Sequence, residues 1–218
     1  PPRRLRLAVT NSPVLPGLLS RLRERRPGIA PTVTSVYASS DSVELLEKGA
    51  VDAAIAADYP GLELRHSAAV THRGFATEPS FVALPATHRL CRARDVALAD
   101  LVDDAWFLTP DDGAGWPGVF YAACEAAGFA PATVHEFLGD SLQLQAMIAQ
   151  GLGVSVVQAT LRPAPGVVVK PLSGAPLWCR YVLAWRGDAV SDAQADTLVA
   201  CASASYRALA ARSAHLRA

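Results

Sequence analysis

Residues Gly113 to Gly118, Gly-Ala-Gly-Trp-Pro-Gly, satisfy the pattern G-x-G-x-x-G between an expected strand and an expected helix, with Glu136 following 18 residues after the last glycine. In that pattern backbone N–H groups and a helix N-terminus hold a pyrophosphate while an acid binds the ribose hydroxyl, which would be dinucleotide chemistry. Two features argue against it. Thr109-Pro110-Asp111-Asp112 separates Leu108 from the first glycine, where the fingerprint needs the strand to run almost directly into the turn. Asp111 and Asp112 would also place like charge beside the phosphates. A glycine-rich loop leading to a helix with Pro117 in its first turn accounts for the residues without a cofactor. His135-Glu136 starts like a zinc-protease motif, but Phe137-Leu138-Gly139 follows and the second histidine is missing; G-x-S-x-G does not occur. Cys91, Cys124, Cys179 and Cys201 are far apart, with no C-x-x-C and no histidine at ligand spacing, so they read as small thiols in a reducing cytosol. His66, His72, His88 and His215 read as surface or loop residues. No catalytic residue, metal site or cofactor is expected.

The polar residues that remain are those opening helices, and their positions depend on the elements around them. In GDSLQLQAMIAQGLGVSVV, residues 139–157, Asp140 or Ser141 can cap a helix and Gln143 lies three residues after Asp140. Leu142, Leu144, Met147 and Ile148 supply apolar contacts, Gly151 ends the helix, and Val154, Val156 and Val157 form a buried strand. SSDSVELLEKGAVDAAIA, residues 39–56, repeats the unit about one turn shorter: Asp41-Ser42-Val43 opens the helix, Gly49 closes it and Ala53 to Ala56 make the strand. Two such units imply two similar α/β lobes.

The remaining pattern fits that scheme. Leu5, Leu7 and Val9 form a strand; Leu15, Leu18, Leu19 and Leu22 mark a helix face, with Arg21, Arg23, Arg25 and Arg26 mostly in solvent at its end, a solvated helix end favoured by the macrodipole over the alternative of an anion or nucleic-acid patch. Strands are expected at 32–37 and 62–70, then a less regular crossing from Val70 to Pro79. The second lobe reads as strand 81–84, a short helix in Ala-Leu-Ala-Asp-Leu, strand 105–108, helix 117–127, strand 133–137 and the capped unit. Arg162-Pro-Ala-Pro-Gly166 is the expected return, followed by strands 167–172 and 178–185 and a long terminal helix. Residues 1–72 and 167–218 would form lobe I and 73–166 lobe II.

Composition sets limits. The 218 residues are 51% hydrophobic and 18% charged, enough for a substantial core. The 20 basic and 20 acidic side chains balance, so the chain lacks the basic excess of a nucleic-acid surface. No apolar run approaches a membrane span, and the opening PPRRLRLAVT has neither Met nor a signal-peptide core; it looks like the stub of a linker.

In this order, LRLAVTNSPVLPGLLSRLRERRPGI, SSDSVELLEKGAVDAAIA, FVALPATHRL, VALADLVDDAWFL, AACEAAGFAPATVHEFLGDSLQLQAMIAQGLGVSVV and VVVKPLSGAPLWCRYVLAWR resemble the effector-binding domain of LysR-type transcriptional regulators over nearly the whole chain. The resemblance implies an α/β fold of two Rossmann-like lobes joined by two crossings, like type 2 periplasmic binding proteins. It also implies an N-terminal winged helix-turn-helix, absent here, as the DNA reader, so no DNA contact is expected from these residues. The family's small-molecule effector lies between the lobes. Carried onto this sequence, its contacts are Thr10, Asn11 and Ser12 after the first strand, with Ser12 as N-cap and Pro13 first in the helix, and Ser39 or Ser40 at the next helix start. Opposite them would be Thr109, Asp140 and Ser141. The first turn is a few residues shorter than usual in the family, which weakens Thr10 to Ser12.

Helix N-termini favour carboxylates. Asp41, Asp111, Asp112 and Asp140 near the same openings oppose a strong anion, so a neutral, zwitterionic or amine-bearing effector fits as well as an acid. The resemblance further implies a cytoplasmic protein with no membrane partner that forms a homodimer or higher homo-oligomer. Val14, the Arg21–Arg25 edge, Leu209 and Leu216 are expected to face a neighbour. A solute-binding protein of a transport system, or an enzyme that is dinucleotide-dependent or dehydratase-like, stays open as an alternative.

Overall fold

Alternation in Arg3–Val9 (β1) puts Leu5, Leu7 and Val9 on one face and Ala8 on the other, and both faces are covered. The structure is a computed structural model that describes residues 3–213 and 216. The chain divides into two compact units, the first made of Pro1–Thr77, Asp112–Ala114 and Cys179–Arg212 and the second of Glu78–Asp111, Gly115–Trp178 and Ser213–Ala218.

The first unit continues with α1 (Leu15–Arg25), β2 (Ile29–Ser35), α2 (Ser39–Glu47) and β3 (Ala53–Asp58), and is completed by β9 (Trp178–Arg186) and α5 (Asp192–Arg212). Its strands run β2-β1-β3-β9, with β1 parallel to β2 and β3 and β9 antiparallel to β3. Such β-α-β units need both faces covered. Leu18 and Leu22 of α1 and Leu198, Cys201 and Ala202 of α5 bury one face, and Val43 and Leu46 of α2 bury the other.

The second unit holds a 3-10 turn at Leu98–Leu101, β5 (Trp106–Leu108), α3 (Gly118–Ala126), β6 (Val134–Glu136), α4 (Ser141–Ala149), β7 (Val154–Gln158) and β8 (Val167–Pro171). β5 lies parallel between β6 and β7, while β7 and β8 run antiparallel to β4 (Val70–Pro85). Trp106, Phe120 and Leu84 centre one core; Phe81, Phe107 and Ile148 centre the other.

Several expectations shift. The region 62–69 is not a regular strand, and β4 runs unbroken through the segment expected to be irregular, so that the units divide inside it at Thr77 and Glu78. Residues 167–171 pair with β4 at Phe81–Pro85, which places β8 in the second unit, and the return falls at Trp178 and Cys179 instead of 166 and 167. Helix α1 begins at Leu15 after Val14, not at Pro13, and no side chain caps it. Val14 is fully buried and so is not free for a neighbour, whereas Leu209 and Leu216 pack against the cores but stay partly exposed. Leu142 is 74% exposed and gives α4 no core contact, a task left to Leu144, Met147 and Ile148. His215 lies outside the described residues.

Candidate functional site

In the first unit the polar residues after β1 and at the start of α2 are both fastened to the carboxyl end of β3. Thr10, almost fully buried, sends its N–H (3.0 Å) and its hydroxyl (3.3 Å) to the Ile55 carbonyl. Two residues further along β3, Ser39 Oγ donates to Ala57 O at 2.7 Å and accepts Ala57 N–H at 3.2 Å. Ser39 is buried, and these two bonds pin α2, whose N-cap is Ala38 with no side-chain cap. Ser40 is exposed, and its N–H reaches Asp112 O at 3.4 Å; Asn11 is exposed as well. Ser12 is not a cap. Its Oγ is buried and has no hydrogen-bond partner among the described residues, which is uncommon because a buried unpaired hydroxyl costs about 1–3 kcal/mol.

Tyr59, just past β3, extends the group. Its hydroxyl donates to Asp112 Oδ2 at 2.9 Å, while Asp112 Oδ1 accepts the Ala114 N–H at 2.8 Å. Burial, reinforced by the Asp112 charge, raises the phenol well above the ordinary tyrosine range, so Tyr59 stays a neutral donor. Sequence reasoning missed this pair, since Tyr59 and Asp112 lie 53 positions apart and no local pattern links them. The same geometry bears on the glycine-rich loop. The N–H of Ala114, a donor of the kind a phosphate would need, is already taken by a carboxylate. Gly113 (φ +68°) is confined too, because a Cβ there would come within 2.3 Å of Ser40 Oγ.

In the second unit Leu108 pairs with Glu136, so Thr109 and the 137–140 segment leave adjacent parallel strands at one end. Thr109 is partly buried. Asp140 Oδ1 accepts both Leu142 N–H and Gln143 N–H at 2.8 Å, an N-cap that uses the carboxylate on its own helix. Ser141 Oγ accepts from Gln145 Nε2 at 3.3 Å, and buried Gln145 takes the Ala164 N–H on its Oε1 at 2.6 Å.

The histidines are less idle than their spacing suggested. His66 Nε2 lies 2.6 Å from His72 Nδ1, and His88 Nε2 lies 3.0 Å from Asp104 Oδ1. Cys124 and Cys201 are buried, and burial raises both thiols, Cys124 to about 11. Among the described residues no group of three or more His, Cys, Asp or Glu side chains could hold a metal ion, and no helix is long and apolar enough to cross a membrane.

Parallel strands whose carboxyl ends carry polar turns and helix starts are the usual architecture of small-molecule recognition in α/β proteins. Residues 1–207 match the family described as LysR substrate binding domain, and the chain belongs to that family. Among its relatives is the small neutral protease regulatory protein of Streptomyces coelicolor A3(2), 35% identical over 191 residues, 87% of this chain and 56% of that protein. The HTH-type transcriptional regulator ShiR of Corynebacterium glutamicum is 27% identical over 180 residues, 81% of this chain and 59% of the relative. The chain thus spans a little over half the length of these relatives. The fold is shared with the BenM effector binding domain with its effector benzoate (TM-score 0.78, 20% identity, 94% of this chain and 93% of that one). It is shared also with a Corynebacterium glutamicum OxyR mutant (TM-score 0.80, 20% identity, 97% of this chain and 66% of that one).

Proposed function

We propose that this chain is the ligand-sensing and dimerising domain of a cytoplasmic LysR-type DNA-binding transcriptional regulator, that it binds a small-molecule effector, and that it is not a catalyst. Thr10, Asn11, Ser12, Ser39 and Ser40 in the first unit and Thr109, Asp140 and Ser141 in the second are the proposed effector-binding positions. DNA would be contacted through a part of the regulator outside these residues. The observation that carries the reading is Ser12: an unpartnered buried hydroxyl in the turn after β1 is a cost that a bound polar group would offset. Roles divide among the rest. Ser39 and Asp140 hold the helix starts in place through bonds they already make, and Ser12, Ser40 and Thr109 are the side chains proposed to meet a ligand directly, with Asn11 exposed beside them. Asp112, with its negative charge beside Tyr59, suits a neutral, zwitterionic or amine-bearing effector at least as well as an acid.

A thermal-shift screen of small metabolites tests this. A hit should stabilise the wild type, and Ser12→Ala and Thr109→Val should each reduce that shift, by the loss of about 0.5–1.5 kcal/mol of binding per hydrogen bond. Ser12→Ala should not lower the stability of the unliganded chain, since it removes a hydroxyl that has no partner among the described residues. Equal shifts in the wild type and both variants would refute the assignment.

A further inference from the structure

The amino ends of β1 and β2, remote along those strands from Thr10 and Ser12, border a second recess. Arg25, Arg26, Pro27, Gly28, Ile29 and Gln194 surround a crevice of about 420 Å³, within the range of small-ligand pockets. It shares Arg26, Ile29 and Gln194 with a narrow pit walled by Leu5, Leu22, Thr197 and Leu198. All of these residues belong to the first unit.

The chemistry of the lining is one-sided. Arg25 and Arg26 form no ion pair among the described residues, and no carboxylate lines either recess. Gln194 Oε1 is occupied, accepting Ser191 N–H at 3.0 Å and Ser191 Oγ at 3.2 Å, so its amide NH2 is what it offers. Thr197 already donates its hydroxyl proton to Ala193 O at 2.9 Å. The charged and amide groups at the rim are therefore donors, and the wall behind them is Leu5, Leu22, Ile29 and Leu198. Two arginines and a glutamine at the rim can supply donors suited to a carboxylate, and the leucines suit a hydrocarbon body.

We infer that this recess binds a small carboxylic acid with an apolar body, independently of the proposed effector residues. The acid group sits on Arg25, Arg26 and the Gln194 amide, and the hydrocarbon covers the pit. If these arginines served only to offset the dipole at the end of α1, their loss would change stability and no ligand affinity.

The experiment titrates the ¹⁵N-labelled 218-residue chain with 3-phenylpropionate and with neutral 3-phenylpropionamide. The acid should give saturable shifts at the Ile29 and Gln194 amides and bind about two- to fivefold tighter than the amide, fivefold being the upper size of a solvent-exposed charge interaction. Arg25→Gln/Arg26→Gln should remove that preference, and added salt should reduce it. Thr197→Asp, which puts a carboxylate at the pit, should abolish binding while Ser12→Ala leaves it unchanged. The proposal fails if no saturable shift appears at millimolar acid, if acid and amide bind alike, if the double variant binds as the wild type does, or if the shifts fall on Thr10 to Ser12 instead.

Discussion

His66 and His72 show how a single contact can set a pH response. The Ser67 carbonyl lies 2.8 Å from His66 Nδ1, which assigns the proton there and leaves His66 Nε2 to accept from His72 Nδ1–H. Burial, then the nearby His66 and Arg180, lowers the His72 pKa, with Asp58 and Glu63 opposing. The folded chain thus binds this proton more weakly than the unfolded chain does, so stability falls as pH drops through the ordinary imidazole range. Melting between about pH 7.5 and 5.5 should show the wild type losing more stability than His72→Asn; parallel curves would exclude the pair as a source. Arg180 also makes two bonds with Asp58, Nε to Oδ1 at 2.9 Å and Nη2 to Oδ2 at 2.7 Å, and Asp58 accepts the Leu64 N–H at 2.9 Å. The Asp58 side chain is 1% exposed and that of Arg180 33%. Asp58→Ala removes both guanidinium bonds, leaving Arg180 the 3.9 Å ion pair with Glu63, and unpairs the Leu64 amide, and urea denaturation should register a loss of about 2–4 kcal/mol, below the range for a fully buried pair because Arg180 keeps some water and a second carboxylate.

At the scale of elements, local chemistry and long-range packing separate cleanly. The α4 cap was legible because an N-cap is a bond between a side chain and its own next turn, and Asp140 makes it twice. Asp140→Ala should cost about 0.5–2 kcal/mol in chemical denaturation. The strands β5 to β9 were legible from β-branched and aromatic runs between turn residues. The irregular stretch assigned to Val70–Pro79 failed for a reason that lies outside the segment. Gly74 lies inside it, and there the Arg180 side chain passes so close to β4 that a Cβ would sit 2.9 Å from Arg180 Cδ. Val14 failed similarly. Counting apolar residues in one helix cannot show that α5 closes over its start, where Ser205 Oγ donates to Val14 O at 2.8 Å. At the site, the helix openings were visible as residue types, but the distinction between Ser39, spent on Ala57, and Ser12, left unbonded, depends on β3 and could not be read locally.

For the molecule as a whole, the proposed self-association cannot be anchored on Val14. With Val14 buried, Val14→Glu would disrupt a core and says nothing about an interface. The most exposed large apolar residues of the second unit, Leu138 (59%), Leu142 (74%) and Leu152 (56%), are the better anchors. Light scattering at tens of micromolar should find a species of twice the chain mass, and Leu142→Glu should shift it toward the monomer without lowering the melting temperature. A monomer at every concentration would rule out dimerisation by this domain. Strand β4 is a different kind of asset. Its residues up to Thr77 belong to one compact unit and those from Glu78 to the other, and the units have separate cores. Deuterium uptake along this one strand therefore reads two clocks: Val82 to Leu84 exchange only when the second core opens, and Phe75 and Ala76 when the first does. Because both reporters lie within ten residues of chain, a single proteolytic peptide spanning them should take up deuterium in two phases whenever the two openings differ in free energy.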